Sequence, residues 1–354
     1  MPFRQFLRLN VNPAIHDYIR KDKKESMTAP YRAAITGLGA YLPEKVLTNA
    51  DIEKIVDTSD EWIRTRTGIR ERRIAAESQA TSDLALPAAR EALKNAGITP
   101  QDLDLIIVAT TSPDMIFPSA SCYLQAKLGA SCGAFDLAAA CSGFAYALSV
   151  AEGFVKSGIY KHVLVVGAET ISRFINWKDR GTCVLFGDGA GAAVVSKSKD
   201  GHGILASYLG ADGNQSEILQ IPAGGSRIPP SAESVANNQH YIRMDGPALF
   251  KIAVKTMEQA VLKVLEHEKL QVKDIHCLIP HQANDRILRA VADRLGIPHE
   301  KVFINVDRYG NMSSASTVVG LYEAVKSGAV KKGDYVVLVA FGGGLTWGAS
   351  LIKW

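Results

Sequence analysis

The 354-residue sequence contains few cysteines, no long hydrophobic run and little net charge. Its five cysteines are an odd number and sparse for this length, which excludes a disulfide-stapled scaffold. The longest charge-free apolar stretch near the centre, residues 137–151, has 15 residues, fewer than the roughly 20 that cross a bilayer. A net charge of +4 with 47% hydrophobic residues excludes a disordered chain. We therefore expect a folded protein of about two domains without a membrane span.

Sequence patterns for metal, dinucleotide and nucleic-acid binding are also absent. The chain has no Cys-x-x-Cys and no His-x-x-x-His pair, so a metal site is unsupported. Gly37–Leu42 has a leucine where the third glycine of a dinucleotide fingerprint belongs, and Gly187–Gly191 leads into a strand pattern instead of a helix. No nucleic-acid-binding module is present. We expect no metal, no resident cofactor and no nucleic-acid partner.

The positive charge is concentrated at the N-terminus. Residues 1–26 contain six Arg and Lys against three Asp and Glu, a net +3, so the remaining 328 residues carry about +1. Residues 1–29 are interpreted as an extension, either disordered or not native, and the segment lacks the features of a secretory signal. A start-site extension beginning before Met27, a docking arm and a poor transit peptide stay open. The default expectation is a soluble cytoplasmic protein.

Strongly apolar strands alternate with helical patterns along the rest of the chain. Because such strands are usually covered on both faces, the pattern predicts α/β layers. The predicted strands are Ala33–Gly37, Leu105–Thr110, His162–Gly167, Val184–Phe186, Cys277–Pro280 and Tyr335–Ala340. The predicted helices are Leu84–Ala96, Ser119–Leu128, Gly143–Ser157, Leu249–Glu266, Asn284–Leu295 and Ser316–Ser327.

The sequence repeats itself once. Val155–Gly158 recurs identically as Val325–Gly328, an offset of 170, and residues 92–107 resemble residues 264–279, an offset of 172. The alternative is a coincidence between two amphipathic helix–strand units. We interpret the repeat as two copies of one unit, which divides the chain into halves at residues 30–200 and 201–354.

The repeat also selects candidate site residues. Asn311 and Cys141 are 170 positions apart, so they occupy equivalent positions of the repeat, and both precede a helix that ends in Val-Lys-Ser-Gly. The offset of 172 carries His281 back to Ala109, and both lie just past the end of a strand. Ligands in open α/β sheets bind at strand ends and helix starts, so the three polar residues are candidates for one shared site.

Cys141 has the surroundings of a reactive cysteine. It lies among small residues ahead of a long apolar helix, whose amino end stabilises a thiolate. The alternative is a small buried hydrophobe, which is how we interpret the remaining cysteines, Cys122, Cys132, Cys183 and Cys277.

Three further features belong to the same predicted site. A neutral imidazole at His281 can donate a hydrogen bond or accept a proton, although a loop histidine bonded to backbone is the alternative. Asn311 is a hydrogen-bond donor or, alternatively, a helix cap or turn residue. The glycines of Phe341–Gly348 let backbone N–H groups approach a reacting carbonyl, as an oxyanion hole requires.

Together these motifs resemble the β-ketoacyl-ACP synthase III family of the thiolase superfamily. The resemblance covers residues 33–354. The Cys/His/Asn set separates this family from its relatives, because thiolases are expected to use a second Cys, and elongating synthases a second His, where this sequence has Asn311. The motifs that carry it are Thr58–Ile69, Ala139–Gly143, Asp179–Thr182, Phe186–Ala192, Pro280–Asn284, Tyr309–Asn311 and the glycine loop Phe341–Gly348.

The resemblance implies an α/β, thiolase-like, duplicated αβαβα five-layer fold, a homodimer and a two-stage reaction. Acyl-CoA, expected to be acetyl-CoA, acylates Cys141, while the N–H groups of Cys141 and Gly343 hold the oxyanion. Malonyl-ACP then loses CO2, and His281 and Asn311 stabilise its enolate, which attacks the acyl-enzyme to give β-ketoacyl-ACP. Acyl-CoA is therefore a substrate and no cofactor is implied.

The resemblance also assigns binding residues. Trp62 is expected to stack on the adenine of CoA, with Arg66 and Arg180 at the nucleotide. The acyl pocket is assigned to Phe186, Phe341 and Phe117, the last closing the partner subunit's pocket and favouring a short starter. An ordinary core aromatic is the alternative for Phe117. The acidic carrier protein is expected to contact Gln282, Ala283, Asn284, Asp285, Arg286 and Lys251, with Arg286 the central cation.

Three alternatives to this function stay open. The first is a related condensing or acyl-transfer enzyme of specialised metabolism that uses a different starter. The second is a non-catalytic subunit that binds CoA or ACP, against which the intact Cys/His/Asn set argues. The third is an acyltransferase that stops after acylation.

Overall fold

The computed structural model describes residues 32–198 and 200–354. The predicted extension at residues 1–29, including Met27, lies outside them. The strands in chain order are β1 (Arg32–Tyr41), β2 (Lys45–Thr48), β3 (Glu71–Ile74), β4 (Leu105–Ala109), β5 (Gly133–Leu137), β6 (His162–Glu169), β7 (Gly189–Ser198), β8 (Gly203–Ala211), β9 (Leu219–Gln220), β10 (Arg243–Met244), β11 (Cys277–Pro280), β12 (Tyr335–Gly342) and β13 (Thr346–Lys353).

Helices follow most of these strands. They are α1 (Asn49–Ile52), α2 (Asp60–Thr67), α3 (Thr81–Ala96), α4 (Ala120–Leu128), α5 (Gly143–Lys156), α6 (Arg180–Cys183), α7 (Ala232–Ala236), α8 (Gly246–His267), α9 (Asp285–Leu295), α10 (Val306–Tyr309) and α11 (Ala315–Lys326). Short 3-10 helices include Ala140–Ser142 and Ile171–Phe174. No helix among the described residues is long and apolar enough to cross a membrane.

The two large sheets have the same strand order. The first runs β1-β7-β6-β4-β5, with β6, β4 and β5 parallel and β7 antiparallel to both neighbours. The second runs β8-β13-β12-β11 with the same relative directions. A single parallel bridge between Leu278 and Val302 stands where the first sheet has its fifth strand. The duplication predicted from the sequence repeat is therefore visible in the topology.

Apolar contacts arrange the sheets and helices in five layers. α3 and α4 cover the outer face of the first sheet, and α8 and α9 cover the outer face of the second. α5 and α11 lie between the sheets in a cluster that includes both inner faces. Strands covered on both sides are buried at every position, as in β4. The αβαβα arrangement predicted from the family resemblance is confirmed.

Glycines allow the start of α11 to lie directly on the first sheet. A Cβ at Gly167 in β6 would be 2.5 Å from the carbonyl oxygen of Ser314. No side chain fits at that distance. This close approach brings the loop ahead of α11, which belongs to the second half of the chain, to the carboxyl end of β6.

Two predictions about local structure are wrong. Val184–Phe186 is not a strand but a turn after α6, ending in a single bridge to Asn311. Its apolar character reflects burial, since Val184 is 2% and Phe186 is 4% exposed. Cys122 is exposed on α4, so it is not a packing residue, whereas Cys183 and Cys277 are buried. The division of the chain at residues 200 and 201 stays a prediction.

Candidate active site

Two adjoining cavities meet at Cys141. One, of about 270 Å³, also contains Ser313 and is called the serine cavity here; the other, of about 100 Å³, contains His281 and Asn311 and is called the histidine cavity. Cys141 and Phe186 line both. Larger grooves exist on the surface, such as one of about 580 Å³, but they contain none of the predicted catalytic residues. The three candidates selected by the sequence repeat thus share one site.

Cys141 lies in the 3-10 turn Ala140–Ser142, directly before α5, and its residue is 6% exposed. Burial raises the pKa of its thiol to about 12, while the amino end of α5 acts in the opposite direction. Burial therefore favours the thiol over the thiolate as the resting form at neutral pH. Attack by the sulfur requires that its proton leave.

The turn between β12 and β13 presses against the backbone of Cys141. A Cβ at Gly342 would lie 2.6 Å from the Cys141 nitrogen, and one at Gly343 would lie 3.6 Å from the Ala140 Cβ. Thr346 Oγ1 anchors this turn by donating to the carbonyls of Ala139, at 2.9 Å, and Gly343, at 3.0 Å. Only glycine backbone can approach the cysteine this closely, which is the requirement predicted for an oxyanion hole.

His281 follows β11 and is 2% exposed. Its backbone N–H donates to the carbonyl of Val339 at 2.7 Å. Neither ring nitrogen has a hydrogen-bond partner among the described residues. Burial lowers the pKa of the imidazole to about 3, so the ring is neutral at physiological pH and carries one N–H that can donate.

Asn311 is fixed by its backbone to the turn that follows α6. Its N–H donates to the Leu185 carbonyl at 2.8 Å, and its carbonyl accepts from Gly187 N at 3.0 Å. The side-chain Oδ1 accepts from Ser313 N at 2.8 Å. The Nδ2 group has no partner among the described residues, so the amide supplies a second neutral donor to the histidine cavity.

The predicted CoA residues lie on α2 and α6. The Arg180 guanidinium is 4.8 Å from the centroid of the Trp62 ring, a cation–π distance. Arg180 Nη1 also donates to the Asp57 carbonyl at 3.0 Å. Arg66 is exposed, and its carbonyl accepts from Asn284 Nδ2 at 3.1 Å. The structure therefore pairs Trp62 with Arg180 and places Arg66 beside the start of α9.

Of the predicted carrier-protein contacts, Arg286 stands out by its charge. On α9, Arg289 pairs with Asp285 at 2.7 Å, and Arg294 pairs with Glu258 at 2.6 Å. Arg286 has no carboxylate partner among the described residues, and its guanidinium lies 5.7 Å from the ring centroid of Phe250, which lines the histidine cavity. Lys251, on α8, is exposed.

One predicted carrier-protein contact is wrong. Gln282 is 0% exposed, and its Nε2 donates to the carbonyls of Pro280, at 2.8 Å, and Phe303, at 3.0 Å. Its Oε1 accepts from Asn305 N at 2.9 Å. Gln282 therefore holds the end of β11 in place instead of facing a partner. Ala283 and Asn284, the next residues, line the histidine cavity.

The three predicted acyl-pocket aromatics separate in the structure. Phe186 lines both cavities and Phe341 lines the histidine cavity. Phe117 is 82% exposed, beside Ile116 at 81%, so it is not a core aromatic. Its role in a partner subunit's pocket stays a prediction.

Sequence reasoning missed several residues around Cys141. Thr111, Ile171, Ile221, Ile242 and Ser313 line the serine cavity. The signal available in the sequence was the run Thr110-Thr111-Ser112 directly after β4, since polar residues at a strand end often face a site. In the described parts of the chain, no group of three His, Cys, Asp or Glu residues could hold a metal ion.

Comparisons with known proteins show which family this chain resembles. Residues 135–213 match the family model described as 3-oxoacyl-[acyl-carrier-protein (ACP)] synthase III, and residues 265–354 match its C-terminal counterpart. The chain is similar to the β-ketoacyl-[acyl-carrier-protein] synthase III of Caldanaerobacter subterraneus subsp. tengcongensis, with 59% identity over 91% of this chain and 98% of that protein. A similar protein of Symbiobacterium thermophilum is 55% identical over 90% of this chain and 97% of its own length.

A solved structure shows the same similarity in three dimensions. The crystal structure of 3-oxoacyl-[acyl-carrier-protein] synthase III from Aquifex aeolicus superposes with a TM-score of 0.85 and 51% identity. The match covers 91% of this chain and 100% of that one.

Proposed function

The chain belongs to the β-ketoacyl-[acyl-carrier-protein] synthase III family, and we propose from this premise that it starts fatty acid synthesis by condensing an acyl-CoA with malonyl-ACP. The observation that carries the proposal is the meeting of one thiol and two neutral hydrogen-bond donors, Cys141, His281 and Asn311, in adjoining cavities. A thiol can act as the nucleophile in acyl transfer. Two neutral hydrogen-bond donors can stabilise the oxygen of an enolate.

The first stage is acyl transfer to Cys141. Its Sγ attacks the thioester carbon, and the developing oxyanion accepts hydrogen bonds from the backbone N–H groups of Cys141 and Gly343. The carbon–sulfur bond to CoA then breaks. Gly342 and Gly343 allow this arrangement because a side chain at Gly342 would strike the cysteine backbone. The acyl group occupies the serine cavity.

The second stage is decarboxylation and condensation. Malonyl-ACP loses CO2, and the thioester oxygen of the resulting enolate accepts hydrogen bonds from His281 and Asn311. The enolate carbon attacks the acyl carbonyl, and Cys141 leaves as the thiolate. Because burial lowers the pKa of His281 to about 3, the imidazole acts as a neutral donor instead of a cation.

A short starter fits the serine cavity best. Its volume of about 270 Å³ is below the roughly 300–1,000 Å³ of cavities that hold drug-sized ligands. Three isoleucines, Ile171, Ile221 and Ile242, give it an apolar lining. We therefore propose acetyl-CoA as the starter.

A panel of acyl-CoAs with malonyl-ACP tests the function. The expected product is β-ketoacyl-ACP, formed fastest from acetyl-CoA, with an acyl mass addition on the Cys141 peptide. Product from long or aromatic starters but not from acetyl-CoA would favour an enzyme of specialised metabolism. An acyl adduct that malonyl-ACP never discharges would identify an acyltransferase, and no adduct at all would contradict the proposal.

Replacing Trp62 is expected to weaken CoA binding. Loss of base stacking in Trp62→Ala should raise KM for acyl-CoA about tenfold to a hundredfold with kcat little changed. Initial rates at varied acyl-CoA and fixed malonyl-ACP measure the effect. Trp62→Phe keeps an aromatic face and is the matched control, expected to recover most of the affinity. An equal rise in KM for malonyl-ACP would show that Trp62 does not act on CoA.

The carrier protein and a second subunit complete the proposed assembly. Arg286, the cation on α9 without a carboxylate partner in the described structure, is proposed to contact the acidic carrier with Lys251, Ala283, Asn284 and Asp285. The exposed pair Ile116 and Phe117 supports a homodimer in which a partner subunit covers this apolar loop. We propose a cytoplasmic location for this dimer.

A further inference from the structure

A buried arginine lies near the two helices that carry the predicted CoA residues. Arg72, on β3, is 0% exposed. Its guanidinium is bound to carbonyl and amide oxygens, and within residues 32–198 and 200–354 it forms no ion pair and its Nε has no partner. Burial lowers the pKa of the group to about 10, so it is still a cation at neutral pH. Because a buried cation without a counter-ion is costly, fold stability alone is a poor reason for an arginine here.

The guanidinium of Arg72 binds acceptors from two separate parts of the chain. Nη2 donates to the carbonyl of Val184, the residue that ends α6, at 2.6 Å. Nη1 donates to Asn49 Oδ1 at 2.9 Å and to the Leu47 carbonyl at 3.2 Å. Arginine suits this position, since its planar group holds several donors at fixed angles. Arg72 therefore joins the start of α1 to the end of α6.

Asn49 extends this connection to both ends of α2. Its residue is 1% exposed, and its Nδ2 donates to Asp60 Oδ1 and to the carbonyl of Ile69, each at 2.8 Å. Asp60 is the first residue of α2, and Ile69 follows the glycine that ends it. With Oδ1 bound to Arg72, the amide uses its oxygen and both of its hydrogens. One buried side chain therefore fixes both ends of α2 with respect to Arg72.

The helices joined in this way carry the predicted contacts to the CoA nucleotide. Trp62 and Arg66 lie on α2, and Arg180 is the first residue of α6. At the surface the Arg180 guanidinium is 4.8 Å from the Trp62 ring centroid and donates to the Asp57 carbonyl. Because α6 has only four residues, it depends on contacts outside itself for its position. The buried contacts of Arg72 and Asn49 therefore fix α6 relative to α2.

We propose that Asn49 and Arg72 are positioning residues for the CoA nucleotide. They hold α2 and α6 at the spacing at which Trp62 and Arg180 bind it, and they line neither cavity at Cys141. The inference rests on the proposed function, in which acyl-CoA is the first substrate. The nucleotide and the thioester are opposite ends of acyl-CoA. Misplaced nucleotide contacts should therefore slow acylation only by a thioester that carries the nucleotide.

Acylation of Cys141 by two thioesters tests this proposal. Acetyl-CoA carries the nucleotide, and S-acetylpantetheine has the same thioester without it. The rate of acyl mass addition is measured at varied thioester concentration for the full-length protein and its Asn49→Ala and Arg72→Met variants. In each variant the half-saturating concentration of acetyl-CoA should rise about tenfold with the limiting rate little changed. Acylation by S-acetylpantetheine should change less than about twofold.

Two substitutions are matched controls. Arg73→Met removes the neighbouring arginine of β3, whose Nη1 donates to the Pro43 carbonyl at 3.3 Å. Asn305→Ala removes another buried asparagine side chain, whose Nδ2 donates to Glu323 at 2.9 Å. These hydrogen bonds do not reach α2 or α6. Both controls should therefore be acylated by acetyl-CoA at the half-saturating concentration of the unaltered protein.

Two results would overturn the proposal. The first is an unchanged half-saturating concentration of acetyl-CoA in Asn49→Ala. This variant leaves Arg72 bound to Val184, so it provides the test if Arg72→Met does not fold. The second is an equal loss with both thioesters, because it would show general damage to the site instead of misplaced nucleotide contacts. Failure of the proposed function differs from both, since neither thioester would then acylate the unaltered protein.

Discussion

A Cys141→Ala variant is expected to form no acyl-enzyme and to lose condensation by roughly 10⁴-fold or more, a loss typical of removing a catalytic nucleophile. The sulfur at the junction of the two cavities is the atom that holds the starter between the two stages. No other cysteine lines either cavity. The site provides no second nucleophile that could hold the acyl group in place of Cys141. In the variant the acyl group would therefore have to pass directly from one bound substrate to the other.

Intact-mass measurement after mixing with acetyl-CoA checks this expectation, together with the rate of β-ketoacyl-ACP formation. Cys277→Ala is the matched control, because Cys277 is also buried, at 4% exposure, but lies within β11. It should acylate normally. Malonyl-ACP decarboxylation should persist in Cys141→Ala, since His281 and Asn311 remain. Normal condensation by Cys141→Ala would refute the covalent mechanism.

Replacing either enolate donor is expected to separate the two stages. His281→Ala and Asn311→Ala should each slow malonyl-ACP decarboxylation about 10²- to 10³-fold, the usual effect of removing one oxyanion donor. Acyl transfer to Cys141 should continue, because the donors proposed for its oxyanion are backbone N–H groups. Release of CO2 from malonyl-ACP and acyl mass on the enzyme report the two stages separately.

The pH dependence follows from the neutral state of His281. Its pKa is lowered to about 3, so protonation, which would place a buried cation in the cavity, occurs only well below neutral pH. Decarboxylation should therefore show no histidine titration between pH 5 and 9.

Asn305→Ala, which removes a buried amide bound to Glu323, is the control for Asn311→Ala. Loss of acyl transfer in either donor variant would overturn the division of roles.

Patterns that are local or periodic could be predicted from the sequence. The strands β4, β6, β11 and β12 were predicted because burial on both faces makes them continuously apolar. The repeated Val-Lys-Ser-Gly marks equivalent ends of α5 and α11, and with them the equivalent placement of Cys141 and Asn311. In contrast, β8 and β13 were not predicted, since Gly, Ser and Thr interrupt their apolar pattern.

Features that depend on distant contacts could not be predicted. Val184–Phe186 has the composition of a strand, but it is a buried turn that lines a cavity instead of a sheet. Gln282 was predicted to contact the carrier protein, yet it is buried and hydrogen-bonded to the backbone of residues 303–306. Glu169 and Ser314, whose side chains are hydrogen-bonded at 2.9 Å, are 145 positions apart. No periodicity connects a carboxylate on one strand to a serine before a helix of the other half.

The backbone pairing of Asn311 with Leu185 and Gly187 has a consequence for recombination between relatives. A crossover near residue 200 would join a first half from one parent, carrying this turn, to a second half from another, carrying the asparagine. Main-chain hydrogen bonds do not depend on side-chain identity, so this backbone contact between the two halves does not require matched side chains. It needs only Gly187 and Gly310, where a Cβ would come within 2.4 Å of the Tyr309 carbonyl and 2.7 Å of the Leu185 carbonyl. A chimera whose two parents both carry these glycines should therefore keep the main-chain hydrogen bonds that position Asn311.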